Sequence, residues 1–129
     1  MAFSPGNILT ILKAVSAVTT LIGGSTSPRI YPLVLPASPT LPAVTYTQVG
    51  RTVNRVANLS TDRWQLDCWG LTFASSYSLS QAVWNALQTY NGIISGVRIE
   101  DIRMINQVST FESASGYYRH MLEFRTVTL

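Results

Sequence analysis

From Ile8 onward, the apolar positions Ile8, Ile11, Leu12, Val15, Val18 and Ile22 recur with the three-and-four spacing of one helix face, and Thr10, Lys13, Ser16 and Thr20 fall opposite them. Ser4, Pro5 and Asn7 are good helix-start residues, and Gly23 with Gly24 supplies a stop. The spacing therefore predicts one amphipathic helix over residues 8–22. Ser25 to Pro42 then carries Pro28, Pro32, Pro36, Pro39 and Pro42, interleaved with Ile30, Tyr31, Leu33, Val34 and Leu35. Proline has no N–H to give to a ladder, so this stretch reads as extended edge structure. Ala43 to Val49 sets Val44, Tyr46 and Gln48 against Thr45, Thr47 and Val49, a strand with two partly covered faces. Gly50 to Asp62 is polar, holds Arg51, Asn54, Arg55 and Asn58, and reads as a long loop or hairpin tip.

The strongest strand pattern is Trp64 to Phe73, with Trp64, Leu66 and Cys68 on one face and Gln65, Asp67, Trp69 and Leu71 on the other. A second helix follows, capped by Ser76, Ser78 or Ser80. Its stripe is Leu79, Ala82, Val83, Ala86, Leu87 and Tyr90, and Asn91 with Gly92 closes it. Two last strands, about Val97 to Val108 and Tyr117 to Val127, are separated by small residues at Ser113 to Gly116 and should form an antiparallel hairpin. In the second of them Tyr118, His120, Leu122 and Phe124 face one way, and Arg119, Met121, Glu123 and Arg125 the other. The first changes phase near Glu100 and Asp101, where a bulge would restore its inward face. The fold class expected is α+β, a mainly antiparallel sheet with two helices packed on one face in the order α-β-β-β-α-β-β, within a single domain of residues 1–129.

Composition adds one tension. Hydrophobic residues make up 47% of the chain and charged residues 12%, a thin charged layer for a domain that keeps its whole surface in water. The positive mean hydropathy of 0.21 could instead reflect a membrane segment, but Ile8 to Ile22 is shorter than the roughly 20 residues a spanning helix needs, and Lys13 interrupts it. No positive charge precedes Ile8 as in a signal peptide, so the segment is expected to belong to the mature fold, and no membrane partner is expected. The Asn58–Leu59–Ser60 sequon then has no secretory route to serve. Spare apolar surface is expected to be covered by another protein surface.

Nine basic residues against six acidic ones leave a net charge of +3, spread from Lys13 to Arg125 without a basic run. A dedicated nucleic-acid binder gathers its cations on one stripe, so this distribution supports only incidental proximity to DNA.

Catalytic and metal chemistry find no anchor. A nucleophilic hydrolase needs Ser or Cys beside a base, and the one histidine, His120, sits mid-strand and reads as a satisfied sheet residue. Glu100 and Asp101 are adjacent on a strand and point to opposite faces unless a bulge intervenes. Gly23 and Gly24 lack the following Gly, Lys and Ser or Thr of a phosphate-binding loop. Cys68, alone, implies neither a disulfide nor a zinc site. No enzyme activity and no cofactor are expected.

What remains is aromatic and basic. Trp69 lies across its strand from the core face and Trp84 sits off its helix stripe. Each is either an interface anchor or part of a second core layer of the same subunit. Arg119, Glu123 and Arg125, on the second face of the last strand, join Trp69 and Trp84 as candidate interface residues. Arg51 and Arg55, in the polar stretch, could meet a lumen, DNA or a partner's acids, or simply be solvated.

With these elements in order, the chain resembles the tail-completion or tail-terminator family of long-tailed phages. The resemblance spans nearly the whole sequence. It rests on the N-terminal apolar helix with its Gly stop; on Arg29, Ile30, Tyr31 and Pro32 leading to Leu41, Pro42, Ala43 and Val44; on the Trp-containing strand Gln65 to Trp69; on the helix around Ala82 to Leu87; and on the hairpin ending Leu122, Glu123, Phe124, Arg125. The Pro-rich segment is longer than the family pattern. The resemblance implies a structural virion protein that forms a hexameric ring, ends tail-tube growth and joins the tail to the head. Its partners would be its own copies, the tail tube protein, a head-side connector or stopper protein, and genome DNA passing the lumen without sequence recognition. It would act in the virion and assemble in the host cytoplasm. A head-tail adaptor or tube subunit is the nearest alternative, and a small basic nucleic-acid-binding domain is the more distant one.

Overall fold

The computed structural model describes residues 3–88 and 90–129. They form three helices and six strands in the order α1 (Pro5–Lys13), α2 (Ser16–Thr19), β1 (Ile30–Pro32), β2 (Ala43–Asn54), β3 (Leu59–Gly70), α3 (Phe73–Gln88), β4 (Gly92–Ile94), β5 (Val97–Glu112) and β6 (Tyr117–Thr128). The strands make one sheet in the order β1-β2-β3-β6-β5-β4. Only the β1–β2 pair is parallel. The α+β class is as expected, with one short helix and one short strand more than the pattern suggested.

Alternation on β3 and β6 sends Trp64, Leu66 and Cys68, with Leu122 and Phe124, to the helix side, where all are buried. Ile8, Ile11 and Leu12 of α1, Val18 of α2, and Leu79, Val83 and Leu87 of α3 close over them. Phe3 meets Trp64 edge-to-face with ring centroids 6.0 Å apart, a favoured aromatic geometry.

Three local expectations change. The first helix is two: Val15 is extended, at φ −109° and ψ 110°, and breaks the run between α1 and α2. A β-branched residue tolerates that geometry well. The break re-aims Val18 and Ile22 into the core that α1 already covers, so the apolar stripe survives although the helix does not. Gly23 and Gly24, both at positive φ, end the segment as expected, and the Gly24 N–H reaches back to the Thr19 carbonyl at 2.7 Å.

Of the two readings of the polar stretch 50–62, the structure has the hairpin tip and not the long loop. β2 and β3 run on through it as a long hairpin, and only residues 55–58 turn. The Asn54 side chain accepts the N–H groups of Val56 and Ala57, each at 3.1 Å. Its polarity conceals a cross-strand pair: Asp62 is fully buried, and its carboxylate accepts Arg51 Nε at 2.5 Å, Gln48 Nε2 at 3.2 Å and Ser60 Oγ at 3.2 Å. Arg51 also donates to the Phe3 carbonyl at 3.4 Å, tying the hairpin to the N-terminal segment.

The cap of α3 is Thr72, not one of the serines further on. The Ser75 N–H donates to Thr72 Oγ1 at 3.1 Å, and the Thr72 N–H to Ser75 Oγ at 3.4 Å, a reciprocal cap of the helix's orphan donors. Just before it, Gly70 lets β3 approach the helix closely, since a Cβ there would lie 2.7 Å from the Ser76 backbone nitrogen. Ser76 is thereby free to link the layers, its hydroxyl 2.9 Å from His120 Nδ1 on β6. Both residues are fully buried, and the imidazole lies 4.9 Å from the Phe73 ring centroid and 5.6 Å from that of Tyr77. Burial pushes the His120 imidazole below its ordinary value of about 6.5 and keeps it neutral.

The final hairpin agrees with expectation, including a bulge at Glu100, and a second bulge falls at Ile105.

Two outcomes follow from these polar contacts. Arg51→Ala leaves the buried Asp62 carboxylate short of its charged donor and should lower the unfolding free energy by roughly 1–3 kcal/mol, read from urea melts; an unchanged midpoint would count against the pair. For His120, the unfolded chain binds a proton that the folded chain resists. Its contribution is therefore intact above about 6.5 and is lost as pH falls below that value. Unfolding free energy measured between pH 7 and 5 should decline more steeply in the wild type than in His120→Gln.

Candidate functional site

The helix-free face of the sheet gathers most of the residues singled out from sequence. Trp69 is half-buried there; its indole N–H donates to Thr45 Oγ1 at 3.0 Å, and the Arg119 guanidinium stands 5.2 Å from its ring centroid. Arg119 also pairs with Glu112 at 3.2 Å. Beside them burial raises the Asp67 carboxyl above the usual range, against the opposing pull of the Gln65 hydrogen bond, the Arg119 charge and Thr45. Further along, Arg63, Arg125 and Arg103 face one another in a single cross-strand row. Like charges directly opposite are unfavourable, and Glu123 relieves the row by pairing with Arg63, while Asp101 lies 3.8 Å from Arg103. Arg125, between them, has a buried Nε that meets no acceptor among the described residues.

Trp84 is elsewhere. It is half-buried on α3, packs against the rim of the core and donates to Gln88 Oε1 at 2.7 Å. Arg51 belongs to β2 and is engaged by Asp62, whereas Arg55 stands exposed in the hairpin turn. The structure thus brings Trp69, Arg119, Glu123 and Arg125 onto one face and keeps Trp84, Arg51 and Arg55 apart from it.

Two further features were not read from the sequence. The first is aromatic. Phe73 and Tyr77 on α3 stack with centroids 6.0 Å apart, and Phe111 of β5 packs on Tyr118 of β6 at 4.9 Å, with Phe73 edge-on to Tyr118 at 6.3 Å. Phe73, Tyr77 and Phe111 stay about half exposed, and a shallow cleft of about 220 Å³ opens between Phe73, Phe111 and Tyr118. Apolar clusters left open at a surface mark contact sites. The signal available in sequence was the i, i+4 pair Phe73 and Tyr77, which falls off the α3 stripe and overlaps the end of the strand pattern.

The second feature lies at the margins of the sheet. β1 covers only Val44 to Tyr46 of β2, and β4 covers only Val97 to Ile99 of β5. Beyond those residues the outer margins of β2 and β5 have no neighbouring strand among the described residues, and they lie on opposite sides of the same sheet. Edge strands of this kind are templates for further pairing.

Chemically the arrangement offers little else. The Ser76–His120 contact has the composition of a nucleophile–base pair, but both side chains are sealed beneath α3, and His120 Nε2 meets no orienting acceptor among the described residues. Among these residues no group of three or more His, Cys, Asp or Glu side chains could hold a metal ion, and no helix is long and apolar enough to cross a membrane. Cys68 is a buried free thiol that burial pushes well above its ordinary value.

Among solved structures, the fold is similar to a chain in the virion of a native gene transfer agent particle, with a TM-score of 0.76, 17% identity, and coverage of 94% of this chain and 90% of that one. At that identity the likeness concerns the fold. No curated protein matches. The family model of the tail completion protein gp17 matches residues 6–129, from the first turn of α1 through the end of β6. That span takes in every element that the resemblance read from sequence relied on, and the chain belongs to the tail completion protein gp17 family.

Proposed function

We propose that this virion protein completes the phage tail by assembling with copies of itself into a hexameric ring, which ends the tail tube and joins it to the head-side connector or stopper. The whole chain acts as one tail-terminator-like domain. The observation that carries this reading is the pair of open margins on opposite sides of one sheet. A ring uses a heterologous contact in which two different patches meet, and closure leaves neither exposed. A single sheet with one unfilled margin on each side has the form that such a contact needs. Family membership supports a structural role in the tail, and the similar chain from a gene transfer agent virion belongs to a particle of comparable kind.

In such a ring the aromatic patch has a separate role. Phe111, Tyr118 and Phe73 lie where β5, β6 and α3 meet, at one end of the strands and not along a side margin. With the strands running along the ring axis, that end forms part of a flat face, the surface toward the tail tube or the connector. The helix-free face would look toward the lumen or the outside, and in the former case Arg125 and its neighbours would lie near passing DNA without reading its sequence. No catalytic step is assigned to the chain.

An adaptor or tube subunit would make the same kind of self-contact with different neighbours. The nucleic-acid-binding alternative differs in a measurable way, since its affinity must fall steeply with salt.

Native mass spectrometry and negative-stain imaging of the purified chain, with and without tail tubes, should show closed rings that sit at tube ends. A monomer that ignores tubes, or a salt-sensitive DNA complex as the sole assembly, would overturn the reading. Phe111→Ser should leave ring formation intact and lower tube-end occupancy by about tenfold or more, the loss of one buried aromatic anchor.

A further inference from the structure

The two open margins also match each other in direction, height and exposed apolar side chains, and we propose that they pair directly, β2 of one copy lying antiparallel beside β5 of the next to make one continuous sheet around the ring. This rests on the self-assembly reading above and adds to it the partner strand and the register.

Direction follows from topology. β2 is antiparallel to β3, β3 to β6, and β6 to β5, so β2 and β5 run in opposite senses within one subunit. Copies related by rotation about an axis along the strands therefore present β2 antiparallel to the next copy's β5, the pairing that a sheet margin most readily accepts.

Height follows from the cross-strand rows. Thr52 is level with Thr61, Val127 and Asp101, and Tyr46 is level with Leu66, Leu122 and Gln107. The unflanked part of β2, Thr47 to Thr52, is thus level with the unflanked part of β5, Asp101 to Asn106. Leu33 donates its N–H to the Tyr46 carbonyl at 2.9 Å and so stands near the height of Gln107, two residues from the Ile105 bulge.

Apolarity then agrees at the lower height. Leu33 and Val34 are 65% and 73% exposed and flanked by prolines that offer no competing donor, and Ile105 is 47% exposed. Placed side by side, the Leu33–Val34 ledge covers Ile105. The charged side chains nearby are already engaged within the subunit, Arg51 by Asp62, Glu100 by Arg98 and Asp101 by Arg103, so register is set by where β1 and β4 stop and affinity by the ladder and the apolar contact.

The test uses the full chain. Sedimentation velocity of the wild type establishes self-association. Under mild oxidation the double variant Val34→Cys/Ile105→Cys should give covalently closed oligomers. Val34→Cys/Phe111→Cys, whose second cysteine lies at the strand end, should stay unlinked, as should the wild type with its buried Cys68. A wild type that stays monomeric would sink the ring reading and this pairing together. A wild type that assembles while Val34→Cys/Phe111→Cys cross-links instead, or while Val34→Cys/Ile105→Cys stays unlinked, would overturn the pairing alone.

Discussion

The structure depends on how far each strand of the sheet is covered by its neighbour. The four inner strands pair along most of their length, but the flanking strands β1 and β4 are three residues each. Backbone N–H and C=O groups on the outer sides of β2 and β5 are consequently left to water or to another chain. Both short flanks have evident causes. β1 ends at Pro32, which has no N–H to donate, and positive φ at Leu33 turns the chain away. β4 opens on Gly92 and is followed by the tight Ser95–Gly96 turn, all three residues at positive φ. The chain therefore fixes where its own sheet stops.

On the helix side the core from Phe3 to Phe124 is sealed, and several of its polar members answer to one another: Ser76 meets His120, and Asp62 gathers Arg51, Gln48 and Ser60. A buried carboxylate with three donors is costly to break, so the β2–β3 hairpin is held firm well beyond the point where β1 stops flanking it. A rigid projecting margin can be matched by a neighbour without first being ordered, which spares the entropy that a flexible loop would lose on docking.

Much of this was legible in the sequence because period and side agree on the inner strands. The alternation of Trp64, Leu66 and Cys68, the stripe from Leu79 to Leu87, the phase change at Glu100 and the glycine stop at Gly23 all stand in the structure. The misses share a cause. Arg51, Asn54 and Asp62 are polar residues that satisfy each other or a turn across a hairpin, and one-dimensional patterning cannot distinguish a mutually satisfied polar strand from a solvated loop. Thr72 is masked as a cap because the strand pattern runs through to Phe73, where helix and strand signals overlap. Val15 broke a helix whose apolar spacing stayed intact, since spacing records which residues face the core and not whether the backbone between them is continuous. The aromatic patch was hidden for a different reason: Phe73 and Phe111 are 38 positions apart in sequence and meet only when α3 is laid across the end of the β5–β6 hairpin.

The low charge of the chain can now be placed on the surface. Trp69 and Trp84 each give their indole N–H to a partner within the subunit and keep part of their surface outward. Exposed apolar side chains lie along both sheet margins, among them Leu33, Val34 and Val53 on the β2 side and Ile93 and Ile105 on the β5 side, and a further group, Leu71, Phe73 and Phe111, lies at the strand end where α3 begins. Isolated surface hydrophobes are common. The helix-free face between the margins is laced with paired Arg, Glu and Asp side chains. At the margins, backbone groups without strand partners and side chains without cover coincide. A surface that only had to be soluble would have no reason to align those two deficits, whereas one built to be completed on both sides by its own kind would.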